Sequence, residues 1–198
     1  MNDVGGAGQL LDGLELKVDR AGTAEAVTRR IANGDYPAAF VAAMVWGHGS
    51  TGYGPYRTAW ALTGSRTPRG RPVDAVVVER LQESARLVTT EGPVAAYRYL
   101  RNAGRIPGLG PAFFTKWMYF ASADGQPYGP QAAPILDQLV SGWLGRHTDV
   151  SLRYGSTVDY GRYVDLLSAW GEISGRTPVE VEEAIFENAR AVKRAPGG

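Results

Sequence analysis

The hexapeptide Ile106-Pro-Gly-Leu-Gly-Pro111 joins two helical segments by a tight turn with two glycines two apart, Gly108 and Gly110. Such a turn exposes consecutive backbone N–H groups just where the next helix begins, and a helix N-terminus with free amides binds anions. The glycines allow φ > 0 and let a phosphate approach the backbone with no Cβ in the way. An ordinary helix–helix corner carries the same Pro-Gly signature, so the surrounding charge has to separate the two readings. From Pro93 to Ser122 there are four basic residues (Arg98, Arg101, Arg105, Lys116) and no acid. From Gly54 to Val73 there are four more (Arg57, Arg66, Arg69, Arg71), again with no acid. The acids concentrate elsewhere, notably at Glu180, Glu182, Glu183 and Glu187. This distribution predicts a polyanion on one face, met by Arg101, Arg105 and the Gly108-Leu109-Gly110 turn. Solvated arginines with no partner are the plainer alternative.

The run Ile106–Gly110 followed by a helix, and then Pro134-Ile-Leu-Asp137 opening another helix, resembles the helix-hairpin-helix superfamily of DNA glycosylases. The usual hairpin there is Leu-Pro-Gly-Val-Gly, from which Ile106 and Leu109 are conservative departures. Pro134–Asp137 looks like the adenine-glycosylase form of the segment that delivers the catalytic aspartate. Arg105 to Phe120 is also similar to small bacterial proteins with an 8-oxoguanine-glycosylase fold. The resemblance covers about residues 94–146. It implies one domain over residues 1–198, all-α, built as a helical bundle of two packed lobes with a cleft between them. The hairpin would occupy 94–122 and the aspartate segment 134–146. The implied partner is double-stranded DNA carrying a damaged or modified base, 8-oxoguanine among them. The implied reaction is scission of the N-glycosidic bond of a flipped base, with or without lyase activity.

Breaking that bond builds oxocarbenium-like positive charge on the sugar, which a nearby carboxylate stabilises while also activating the attacking water. Asp137, just before Gln138-Leu-Val, reads as an N-cap held by backbone amides. It serves either as a cap alone or as a cap and the catalytic carboxylate. Bifunctional relatives carry a lysine two residues after the last hairpin glycine, where this chain has Ala112. Lys116 lies four residues on, on the same helix face and about 5–6 Å further along. It stands 21 residues before Asp137, near the family's usual lysine-to-aspartate interval. Two readings of Lys116 stand: a relocated nucleophile that forms a Schiff base, or a phosphate-facing cation on an enzyme that only releases the base. The resemblance also requires a pocket for the flipped base. The loop Trp46 to Arg57 offers aromatics, a histidine, hydroxyls and glycines, with Trp46, His48, Tyr53 and Tyr56 as its candidate contacts. Packing of Tyr53 and Tyr56 on neighbouring helices is the structural alternative.

The elements that must position these residues read as helices nearly throughout. Helices are expected over Thr23–Asn33 with Gly34 as the stop, over Ala38–Trp46 ended by Gly47, over Val73–Thr90, and over Val94–Ala103 closed by Gly104. Thr157–Glu172 follows, with Tyr160, Val164, Leu167 and Trp170 as its buried stripe. Thr177-Pro-Val-Glu180 is a capping box that opens a helix to about Arg194. Trp143, Trp170, Tyr97 and Tyr119 fall on helical stripes and read as core. The glycine-rich stretches Gly47–Pro55, Gly64–Pro72 and Ala123–Pro134 read as loops. No convincing strand alternation is present.

The chain's 198 residues suit one domain or two closely packed lobes. With 21 basic and 20 acidic residues the net charge is +1, which argues against a disordered or supercharged chain. The absence of cysteine excludes disulfides, thiolate zinc sites and iron–sulfur clusters. Two histidines, His48 and His147, leave no His-rich metal centre, so no metal and no cofactor are expected. The longest run free of charges and turn-formers, Ala38–Trp46, is far short of the roughly 20 residues that cross a bilayer. Met1-Asn-Asp-Val-Gly-Gly carries no basic start of a secretory signal. A monomer in the cytoplasm, associated with the nucleoid and with no membrane, is therefore expected. A non-catalytic helix-hairpin-helix DNA-binding module, and a helical partner-binding protein, are the competing functions.

Overall fold

The computed structural model describes residues 19–49 and 54–194, and among these the regular structure is helical with no strand. The described residues form nine helices, in order: α1 Arg20–Ala32, α2 Tyr36–His48, α3 Gly54–Thr63, α4 Ala75–Thr90, α5 Pro93–Arg101, α6 Pro111–Ser122, α7 Gln138–His147, α8 Thr157–Ser174 and α9 Pro178–Arg194. The all-α expectation is met. None of the described helices is long and apolar enough to cross a membrane.

Short polar caps set most of the starts. The carboxylates of Asp19, Asp35 and Asp74 accept from the amides of Gly22, Ala38 and Val76 at 2.8, 3.1 and 2.9 Å. Each satisfies an amide that the helix itself leaves open. The capping box forms as expected: Thr177 N donates to Glu180 Oε2 at 2.7 Å, and Glu180 N to Thr177 Oγ1 at 3.4 Å. Several boundaries shift by two or three residues, and two of them bear on the pocket loop. Gly47 does not end α2; the helix runs to His48 and Gly49 is its cap. The stretch read as a loop through Arg57 is already helix from Gly54, because Pro55 near a helix start costs no hydrogen bond.

Helix α6 is the centre of the molecule. Phe114, Trp117, Met118, Tyr119 and Phe120 are all at most 2% exposed, and α1, α2, α4 and α5 pack around the helix. Its few polar groups inside the core are satisfied: Trp117 Nε1 donates to Ser84 Oγ of α4 at 2.9 Å. Helices α7 and α8 pack on α9, and α5 joins α8 to the α6 group.

The segment leading into α7 is buried yet irregular, so its backbone needs partners. Helix α6 supplies two: Thr115 Oγ1 accepts from Leu136 N at 3.3 Å, and Ser122 Oγ from Ala133 N at 2.9 Å. Helix α8 supplies two more, with the Tyr160 and Tyr163 hydroxyls donating to the carbonyls of Pro134 and Ile135 at 2.9 and 2.7 Å. Four side chains from two helices thus fix where Asp137 stands.

Candidate active site

The turn between α5 and α6 is anchored by Ile106, 2% exposed, and closed by a bond from Leu109 N to the Ile106 carbonyl at 3.2 Å. Leu109 is partly buried against the core. Gly108 has φ +78°, and a Cβ there would stand 2.8 Å from the Trp60 ring. Both the dihedral and the contact call for glycine. Gly110 caps α6 without a side-chain bond. Pro111 has no N–H, and the Phe113 and Phe114 amides both donate to the Gly110 carbonyl at 2.9 Å, so the helix start offers fewer free amides than the sequence suggests. The Ala112 amide lies near enough to the Tyr154 phenol to lower its pKa.

Arg105 is exposed at the turn, and its carbonyl accepts from Arg80 Nη1 at 2.7 Å. Arg101 is also exposed, but its Nε is bonded to the Gly155 carbonyl at 2.7 Å, which ties the loop before α8 to the end of α5. The structure adds a connection between the two basic segments. Trp60, under Gly108, carries the Arg66 guanidinium over its ring at 5.3 Å. Arg57, Arg66, Arg69 and Arg71 are all exposed.

Asp137 caps α7. Its Oδ1 accepts from Leu139 N and Val140 N at 2.9 and 3.0 Å, and the side chain is half-buried. The phenol of Tyr154, 41% exposed, lies near enough to both Asp137 and Ala112 for each to act on it. Burial raises the phenol's pKa, the charge of Asp137 raises it further, and the Ala112 amide pulls it down; the net shift is upward.

Lys116 points from the partly buried face of α6 toward α2. Its Nζ donates to the Gly47 carbonyl at 2.8 Å and lies 5.1 Å from the centre of the Phe113 ring and 5.9 Å from that of Trp46. A Cβ on Gly47 would stand 2.9 Å from Lys116 Cδ, so glycine at that point of α2 makes room for the lysine. Burial lowers the ammonium's pKa below the usual lysine value, against the upward pull of Asp137 and then Glu182. The charge of the aspartate singled out in the sequence thus reaches the lysine.

Trp46 and His48 belong to the same group. Trp46 meets Phe120 edge-on at 5.1 Å and lies 6.5 Å from Tyr119. His48 stacks on Phe113 at 4.3 Å, and its pKa is lowered by burial, then by the charges of Lys116 and Arg57. Tyr56 makes its contacts elsewhere: its hydroxyl donates to the Arg66 carbonyl at 2.8 Å and its ring lies 6.4 Å from Trp60. Tyr53 is outside the described residues.

Four further residues join the centre that the sequence reading passed over as functional. Phe113 forms the stacked wall beside Lys116, and Tyr154 faces Asp137. Glu182 is buried on α9 and paired with Arg20 of α1, Nη1 to Oε2 at 3.4 Å. Burial pushes the Glu182 carboxyl up to about 8; Arg20 opposes the shift and Asp137 adds to it. A pairing across 162 positions leaves no local pattern. The only sequence signal is a Glu on the apolar side of a helix, beside Val181 and Ile185.

An open depression of about 430 Å³ lies away from all of these side chains, lined by Ile31, Tyr36, Glu79, Gln82 and Arg86 among others. Among the described residues no group of three or more His, Cys, Asp or Glu side chains is placed to hold a metal ion.

A family model described as "Putative 8-oxoguanine DNA glycosylase OGG-like protein" matches residues 2–186. No curated protein and no solved structure matches the chain.

Proposed function

The chain belongs to this OGG-like glycosylase family, and on that premise we propose that it excises a flipped, damaged base from duplex DNA, with 8-oxoguanine as the first substrate to test. The observation that carries the reading is the setting of Lys116: an amine held by the Gly47 carbonyl beside Trp46 and Phe113, its pKa depressed by burial, and within electrostatic reach of the half-buried Asp137. A nucleophilic lysine has to reach its neutral form, and desolvation is one way to favour it.

In the proposed reaction the Lys116 amine attacks the anomeric carbon. The N-glycosidic bond breaks with its electron pair leaving on the base, which takes up a proton. Asp137 stabilises the positive charge that develops on the sugar; its capped Oδ1 fixes the carboxylate, and Oδ2 is the oxygen left to face the sugar. Ring opening and loss of the second amine proton then give the Schiff base, which water hydrolyses to return the free lysine. Trp46, His48 and Phe113 form the aromatic surface for the extruded base. The duplex is held at the Gly108–Gly110 turn and Arg105, in the cleft between the two lobes, with Arg66, Arg69 and Arg71 meeting the backbone further along.

Duplexes carrying 8-oxoguanine, uracil, alkylated or hypermodified bases, incubated with the purified protein, test this directly. Free base released from at least one of them is expected, together with a borohydride-trapped protein–DNA adduct that disappears in Lys116→Gln. Release without any adduct would make Lys116 a cation and water the nucleophile. No release from any duplex, with damage-blind and salt-dependent binding that survives Asp137→Ala, would leave a DNA-binding module instead.

A further inference from the structure

Behind Lys116, helices α1, α2, α6 and α9 bring charged and aromatic side chains into a region almost closed to solvent. Glu182 is 1% exposed, and both Nη atoms of Arg20 approach its Oε2, at 3.4 and 3.5 Å. The same guanidinium reaches Glu183 Oε1 at 3.6 Å and lies over the rings of Tyr119 and Trp46 at 5.0 and 5.4 Å. Trp46 is also the ring that the Lys116 ammonium faces at 5.9 Å. Contacts thus run from Glu182 through Arg20 and Trp46 to Lys116, while α9 packs against α7, whose cap is Asp137. A buried ion pair is a costly way to join two helices, since apolar side chains of similar volume often hold them as well or better. Cohesion alone does not account for this one.

We propose that Glu182 is a positioning residue of the Lys116–Asp137 centre, which through its pair with Arg20 sets where the Lys116 amine stands and whether it carries a proton. The catalytic meaning of this inference rests on the glycosylase reading above; the coupling itself needs no substrate. The groups facing Glu182 are Arg20 from α1, Lys116 and Tyr119 from α6, Asp137 at the head of α7, Tyr160 and Tyr163 from α8, and Glu183 beside it. Tyr128 completes the set by donating to Glu183 at 3.1 Å. An ionised Glu182 holds the ammonium form of Lys116. A protonated Glu182 releases that hold and favours the neutral amine, the form that attacks a sugar carbon. Because burial brings Glu182 up to about 8, it changes charge close to neutrality, where an ordinary glutamate does not.

The chain has three lysines, Lys17, Lys116 and Lys193, which makes the amine directly readable. Competitive acetylation of the full-length protein by acetic anhydride across a pH series, without DNA, gives the titration midpoint of each lysine by peptide mass spectrometry. Lys17 and Lys193 serve as references in the same molecule. Glu182→Gln is expected to lower the Lys116 midpoint by about one unit, and Glu182→Asp, which keeps the charge, to bring it back toward wild type. A midpoint that Gln leaves in place, or that Asp and Gln move alike, overturns the proposal. Should Glu182→Gln fail to fold, the reciprocal measurement decides, because coupling between two sites is mutual. In Lys116→Met the Glu182 carboxyl, followed by ¹³C NMR of glutamate-labelled protein, must titrate at higher pH than in wild type; an unmoved midpoint is fatal to the idea. Neither arm uses DNA, so a protein that released no base would sink the glycosylase reading and leave this coupling to stand or fall by itself.

Discussion

At the scale of single residues, the centre is governed by burial acting on a few charges. Lys116 loses water and is pushed toward its neutral form, while Glu182 loses water and is pushed toward its protonated form. The second shift has a consequence for stability. Native Glu182 holds its proton in the range where the unfolded chain, with a glutamate at its ordinary 4.5, has already released it. Its contribution is therefore complete at pH below about 4.5 and is lost as pH climbs toward about 8. Thermal unfolding followed from pH 5 to 9 should show Glu182→Gln with a flatter decline than wild type across that window. Parallel curves for the two proteins would mean that the native carboxyl titrates like an exposed one. Asp137 is legible from sequence because an aspartate ahead of a helical stretch has a local signature. Glu182 is not, because its partner Arg20 sits at the opposite end of the described chain and only the tertiary fold brings them together.

At the scale of elements, the turn between α5 and α6 is readable from the sequence, since it demands glycine at Gly108, where φ is +78° and a Cβ would meet Trp60. The neighbouring helix α3 is not, because Gly-Pro-Tyr has the composition of a turn and the helix shows itself only from Ala59 and Leu62, which are buried. That missed helix carries Trp60, and Trp60 is what places the basic loop after α3 beside the hairpin. If the two basic segments form one track for a phosphate backbone, neutralising part of it weakens binding without regard to sequence. Arg66→Gln with Arg69→Gln should lower affinity for an undamaged duplex and reduce the slope of log K against log salt by about two, one for each phosphate no longer neutralised. An unchanged slope would confine DNA binding to the hairpin.

At the scale of the whole molecule, the fold places a central buried helix so that its partly buried face presents a lysine. The extended segment before α7 is pinned alongside it by hydroxyls from α6 and α8. The all-α architecture follows from helical spacing and punctuation, but this pinning cannot be foreseen. It depends on side chains 21 to 28 positions away donating to or accepting from an irregular backbone. In the proposed reaction Asp137 does more than cap α7. Asparagine keeps a side-chain oxygen for the Leu139 and Val140 amides and so preserves the cap, but it removes the charge that would stabilise the sugar cation. The decisive quantity is the single-turnover rate of base release by wild type and Asp137→Asn from a duplex with one 8-oxoguanine, with affinity for that duplex measured alongside. Free 8-oxoguanine is expected from wild type, with a rate at least about 100-fold slower in Asp137→Asn and similar affinity for both. Equal rates in the two proteins would reduce Asp137 to a helix cap and refute the catalytic role.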